Sequence, residues 1–197
     1  MTRKAIFFIL NEYADWEGAY LASQLNQTSD WEVKIASVHP IVRSIGGFTT
    51  TVDYLINDIP NNIDLLVLIG GNSWNLVDSS LFSLIQKRLH NLQPIAAICG
   101  AVDYLARNGL LTGYRHTGNT QAPWQDYSQY TNSNDFENQQ VVTDQNLITA
   151  NGTAALTFTN HVLKLVNFNS PEEVDQATDL YQIGFYKYCQ KYGNPFA

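Results

Sequence analysis

A cysteine that leaves a buried strand and enters a helix through a glycine is a candidate nucleophile, and Cys99 sits in such a place, inside PIAAICGAVDYLA at residues 94–106. The turn forces its apex residue into a strained backbone conformation with the side chain exposed, and Gly100 keeps the space around it open. A helix N-terminus favours thiolate over thiol, and thiolate is the reactive form. A second glycine turn, Gly70-Gly71, ends the apolar run DLLVLI at residues 64–69. Ligands of an open α/β sheet bind at the carboxyl ends of its strands. Both turns are therefore expected at one edge, where N–H groups of Gly71 and Gly100 could form an oxyanion hole. The plainer alternative for Cys99 is a small buried hydrophobe.

Glu17 follows the first strand and a short loop, just inside a helix. That places it near the same edge, where a carboxyl could hold or accept a proton. An ordinary first-turn glutamate that complements the helix dipole would look the same. His116, in GYRHTGN, is a candidate base on a loop or strand start. His161 lies mid-helix between apolar residues, His39 precedes a proline and His90 ends a helix, so these read as structural, as does Cys189 in the last helix. No His, Cys, Asp or Glu cluster has metal-ligand spacing, and no metal is expected. Neither a dinucleotide fingerprint nor a P-loop is present, and no cofactor is expected.

The elements that must position these residues alternate. Lys4 to Leu10, Trp31 to Val38, Asp64 to Ile69 and Pro94 to Ile98 read as strands, with two late ones at Gln140 to Thr143 and Leu147 to Ala150. Near-continuous apolar runs such as IFFIL and DLLVLI fit strands buried on both faces. Helices are expected over Asp15 to Leu25, Leu81 to Asn91, Ala101 to Asn108, Thr153 to Val166 and Pro171 to Tyr192, the last opened by Ser170 with Pro171 and Glu173. Val42 to Asp53, with Gly46-Gly47, reads as a hairpin. Residues 119–139 are polar and read as a long surface loop. The pattern is α/β: a mostly parallel sheet with helices on both faces.

The chain's 197 residues suit one domain, 1–197. Hydrophobic residues at 45% and charged residues at 15% are a globular composition. The formal net charge of -7 makes nucleic acid an unfavourable partner. No stretch is long and apolar enough to span a bilayer, and MTRKAIFFIL lacks a cleavage site, so no membrane partner, a cytoplasmic location and two free thiols are expected.

Five stretches in order then resemble one family: DWEGAY; VRSIGGFTTTVDYLI at 42–56; DLLVLIGG at 64–71; AAICGAVDYLARNGLLTGYRHTGN at 96–119; and VVTDQNLITANGTAALTF at 141–158. Together they are similar to the PfpI/ThiJ family of the class I glutamine amidotransferase-like superfamily, which includes the parkinsonism-associated deglycase. The resemblance covers about residues 4–167, with 170–197 as a C-terminal helical extension. It implies a flavodoxin-like three-layer sandwich with Cys99 on a nucleophile elbow, Glu17 as the acid that contacts and tunes the thiol, and oxyanion donors at Gly71 and Gly100. Many members have histidine directly after the cysteine, where Gly100 stands here. Others have G-x-x-x-T-x-His downstream, and GYRHTGN puts Asn119 at that histidine, with His116 three residues early. Either His116 serves through a shifted loop or no histidine completes the site. The resemblance also implies a dimer or higher oligomer, and a homodimer is expected.

The leading expectation is a cysteine-dependent hydrolase or glyoxalase/deglycase-like enzyme, of a family described by an intracellular protease, acting on a small carbonyl or amide substrate. Catalysis would rest on Cys99, Glu17 and His116, and binding on Gly70, Gly71, Gly100, Asn119 and Trp74, with Trp74 and Trp16 making the pocket small. The alternatives are a redox sensor whose oxidised Cys99 is held by Glu17, and a binding scaffold with a relic site.

Overall fold

In a computed structural model of the protein, residues 2–197 are described. The chain runs through β1 (Arg3–Phe8), α1 (Asp15–Asn26), β2 (Trp31–Ser37), β3 (Ile41–Arg43), β4 (Thr49–Thr51), β5 (Tyr54–Leu55) and β6 (Leu65–Leu68). It continues through α2 (Ser79–His90), β7 (Ile95–Ile98), α3 (Gly100–Arg107), β8 (Val141–Asp144), β9 (Leu147–Ala150), α4 (Ala155–Leu165), α5 (Pro171–Gln182) and α6 (Phe185–Tyr192). Seven strands form one sheet in the order β5-β2-β1-β6-β7-β9-β8. All its pairings are parallel except β8 with β9. β3 and β4 pair antiparallel as the expected hairpin.

The apolar strands are continuous because each alternate residue enters a different core. Ile6, Phe8, Leu66, Leu68, Ile95 and Ala97 pack on one face with residues of α2 and α3. Phe7, Leu65, Val67, Ala96 and Ile98 pack on the other with residues of α1 and α4. This is the three-layer flavodoxin-like sandwich. Asp78 caps α2 by accepting the Leu81 N–H, and Ser170 with Glu173 forms a capping box on α5.

One expectation needs correction. The final helix is two helices: Gly184, at φ +84°, lies between α5 and α6 in a conformation that interrupts a helix and that few other residues adopt. Residues 119–139 run mostly exposed and without an α-helix or strand, as the expected long surface loop. They hold two short 3₁₀ turns, at Ala122–Asp126 and Ser133–Asp135, and Trp124 is fully buried with its Nε1 donating to Asp103 Oδ1 of α3 at 2.7 Å. The edge strand β5 carries too few residues to be read from periodicity.

Since β1, β6, β7 and β9 run parallel, the turns that follow them share one edge of the sheet. Those turns carry residues 9–14, Gly70-Gly71, Cys99 and Asn151-Gly152.

Candidate active site

Cys99 stands between β7 and α3 at φ +58°, ψ -129°, a region costly for any side chain. The surrounding structure holds it there. Its N–H donates to Ala150 O at 2.9 Å and its carbonyl accepts the Val102 N–H at 2.9 Å. The thiol is free and half-buried.

Glu17 arrives from α1 and is fully buried. Its Oε2 accepts the Gly70 N–H at 2.8 Å, which fixes the carboxyl plane. Among the described residues its Oε1 has no hydrogen-bond partner. It lies beside the thiol: a Cβ built on Gly152 would stand 3.0 Å from both Cys99 Sγ and Glu17 Oε1. Gly70 is more crowded still, since a Cβ there would meet Cys99 Cβ at 2.5 Å and Glu17 Oε2 at 2.7 Å. These glycines are what lets carboxyl and thiol approach.

Burial pushes the Glu17 carboxyl up to about 7, against the pull of Cys99 and the Gly70 N–H. Burial also pushes the Cys99 thiol up, and an ionised Glu17 adds to this, while Asn119 and the Gly100 N–H act the other way. Each anion opposes the other, so the pair titrates as one unit.

Asn119 donates through Nδ2 to Cys99 Sγ at 3.2 Å. Its Oδ1 accepts the Gly152 N–H at 2.8 Å, which determines which end of the amide faces sulfur. Gly71 and Gly100 also meet here, and a Cβ on Gly100 would lie 2.6 Å from Gly71 O.

His116 is not in this cluster. Its ring is fully buried among Trp124, Tyr130 and Phe136, with Nδ1 bonded to Tyr114 O and Nε2 to Tyr130 OH, each at 2.8 Å. Both nitrogens are engaged away from the thiol, and burial lowers its pKa, which favours the neutral ring. Trp74 also departs from expectation. It is 3% exposed, packs on Phe8 and Tyr104, and donates Nε1 to Ile69 O, so it supports the elbow from within the core. Trp16 does border the site, half exposed, with Nε1 donating to Gly152 O at 3.1 Å.

Gly152 is the residue that sequence reasoning did not single out. Its signal was there: Asn151-Gly152 is a further turn from a strand towards a helix on the same edge. Among the described residues, no group of three or more His, Cys, Asp or Glu could hold a metal ion, and no helix is long and apolar enough to cross a membrane.

This geometry has relatives. The DJ-1/PfpI family model matches residues 3–165. "Uncharacterized protease YdeA" of Bacillus subtilis (strain 168) is 52% identical over 194 residues, covering 98% of each chain. A DJ-1 superfamily protein from Agrobacterium tumefaciens superposes with a TM-score of 0.83 at 30% identity, over 93% of this chain and 99% of that one. A ThiJ/PfpI family protein from Bacillus anthracis gives 0.85 at 26% identity, over 97% and 95%.

Proposed function

The chain belongs to the DJ-1/PfpI family, and from that premise we propose that it is a cysteine-dependent enzyme acting on a small carbonyl or amide substrate. One observation carries the reading: a buried carboxyl oxygen without a partner, Glu17 Oε1, lies beside the thiol of a strained elbow cysteine. In its reactive form the pair holds one proton. Sulfur is the better place for the negative charge, because Asn119 Nδ2 and the Gly100 N–H both support it. The carboxyl accepts only the Gly70 N–H. In that form the proton sits on Glu17 and the charge on Cys99 Sγ, where these donors and the N-terminus of α3 work against the burial that raises the thiol.

Sγ then adds to the carbonyl carbon. A C–S bond forms, the carbonyl π pair moves to oxygen, and the N–H groups of Gly71 and Gly100 receive the oxyanion. Glu17 gives its proton to that oxygen for an aldehyde, or to the departing nitrogen for an amide. Asn119 orients and supports the thiolate but is no base, so this site differs from a Cys-His pair. The word protease in the name of the Bacillus subtilis relative fits the amide branch.

The test is a panel of 2-oxoaldehydes and small amides offered to the wild type and to Cys99→Ala. Turnover of one class that vanishes in the variant supports the reading, and no turnover of either class counts against it. A second reading, a redox sensor, is favoured by the donors that converge on Sγ with no histidine nitrogen among them, since they would equally hold an oxidised sulfur. Stoichiometric oxygen addition at Cys99 under low peroxide, seen by intact mass, would support it.

A further inference from the structure

Beside Asn119 the surface opens into a cavity of about 640 Å³, within the size range of small-molecule sites. Its wall has an unusual chemistry. Carboxamides dominate it, among them Asn119, Gln125, Asn138, Gln139 and Gln140, and among the described residues no charged side chain lines it. Gln125, Asn138 and Gln139 are exposed. A carboxamide both donates and accepts hydrogen bonds, as a hydroxyl does. A row of them matches a ligand with many hydroxyls, has no cation to pair with a carboxylate or phosphate, and gives an alkyl chain little to bury against. Phe136, half-buried on the same wall, adds one apolar face. Asn119 belongs to both places, since it lines the cavity and touches Sγ.

We infer that this cavity is the substrate-binding subsite, and that it selects a neutral polyhydroxylated carbonyl compound of the short-chain aldose type. The inference rests on the reading of Cys99 as a carbonyl-adding thiolate. The hydroxylated chain lies along Gln125, Asn138 and Gln139 while the aldehyde carbon meets Sγ. Addition forms one C–S bond, shifts the C=O π pair to oxygen, and takes the proton from Glu17. The product is a hemithioacetal, and no oxidant or reductant enters.

The experiment measures how ligands protect Cys99 from iodoacetamide in the full chain, with Cys189→Ser as background. The probes are erythrose, butanal as an aldehyde without hydroxyls, and 2-oxopropanal as a small carbonyl. Erythrose is expected to half-protect at a concentration about tenfold below butanal. The Gln125→Leu/Asn138→Leu double variant, changed only at exposed positions, is expected to weaken erythrose about tenfold relative to 2-oxopropanal. Equal protection by butanal and erythrose, or an unchanged ratio in the variant, overturns the inference. If no carbonyl compound protects, the reading of Cys99 has failed, and the cavity is judged by NMR. Saturable shifts of the Gln125 and Asn138 side-chain amide signals on titration with erythritol, which has no carbonyl, uphold the subsite. Unmoved signals overturn it.

Discussion

Asn119 and Cys99 are joined by a hydrogen bond from Nδ2 to Sγ at 3.2 Å, and the other end of the same amide holds the Gly152 N–H at 2.8 Å. An amide in this position cannot take a proton from the thiol. It can only favour the thiolate by donating to it. Proton traffic is thereby left to Glu17.

Replacing Asn119 by leucine removes that donor and frees the Gly152 N–H. The thiol pKa should rise, because the anion loses a stabilising bond. The pH at which Cys99 alkylation reaches half its maximal rate should move upward, and an unchanged midpoint would show that the bond does not tune sulfur.

Gly152 leaves room for the pair. A Cβ there would press on Cys99 Sγ and Glu17 Oε1, each at 3.0 Å. Gly152→Ala should retain the fold, since the crowded atoms belong to two side chains and not to backbone, but slow Cys99 alkylation by roughly tenfold or more through displacement of these atoms. Circular dichroism and alkylation kinetics on the same sample check both halves.

The Glu17 carboxyl makes stability depend on pH in a definite direction. Folding raises its pKa from 4.5 to about 7, so the folded state binds this proton more tightly. The contribution is fully present below about pH 4.5 and is lost as pH rises through about 7. At about 1.4 kcal/mol per pH unit, the upper bound is about 3 kcal/mol. Urea unfolding of the wild type and Glu17→Gln at pH 4.5 and 8 should show the variant gaining relative to the wild type at the higher pH.

His116 is a packing residue. His116→Ala opens a cavity among Trp124, Tyr130 and Phe136 and leaves Tyr130 OH with only its bond from Gln121 Nε2, so it should cost about 2–4 kcal/mol of unfolding free energy. The pH midpoint of Cys99 alkylation should stay where it is, which a catalytic base would not allow.

The sequence made the sheet legible because buried parallel strands are continuous apolar runs, and it made Cys99 legible because strand, cysteine, glycine and helix follow without interruption. Glu17 could be placed at the right edge, but its contact with sulfur could not be read, since it depends on the crowding of Gly70 and Gly152. His116 misled because a histidine near a site in sequence looks alike whether its nitrogens are free or engaged. Here Tyr130, 14 residues downstream, holds one of them. Trp74 misled in the same way: proximity to the glycine turn did not reveal that its ring faces the core. The break between α5 and α6 rests on Gly184 alone, and one glycine inside a helical pattern does not by itself end it.

The central claim is that the reactive form of the pair holds one proton, carried by Glu17, with the charge on sulfur. The most direct measurement is the pH profile of Cys99 alkylation by iodoacetamide in wild type and Glu17→Gln, both with Cys189→Ser. Burial pushes the thiol up, and the account predicts that the Asn119 and Gly100 donors together with a protonated Glu17 outweigh it, so that the wild-type thiolate appears below the ordinary thiol value of about 8.5. It predicts an upward shift in Glu17→Gln, because an amide donates more weakly to sulfur than a protonated carboxyl. A wild-type midpoint above 8.5 that falls in Glu17→Gln would contradict it, since the charge would then reside on the carboxylate and oppose the thiolate.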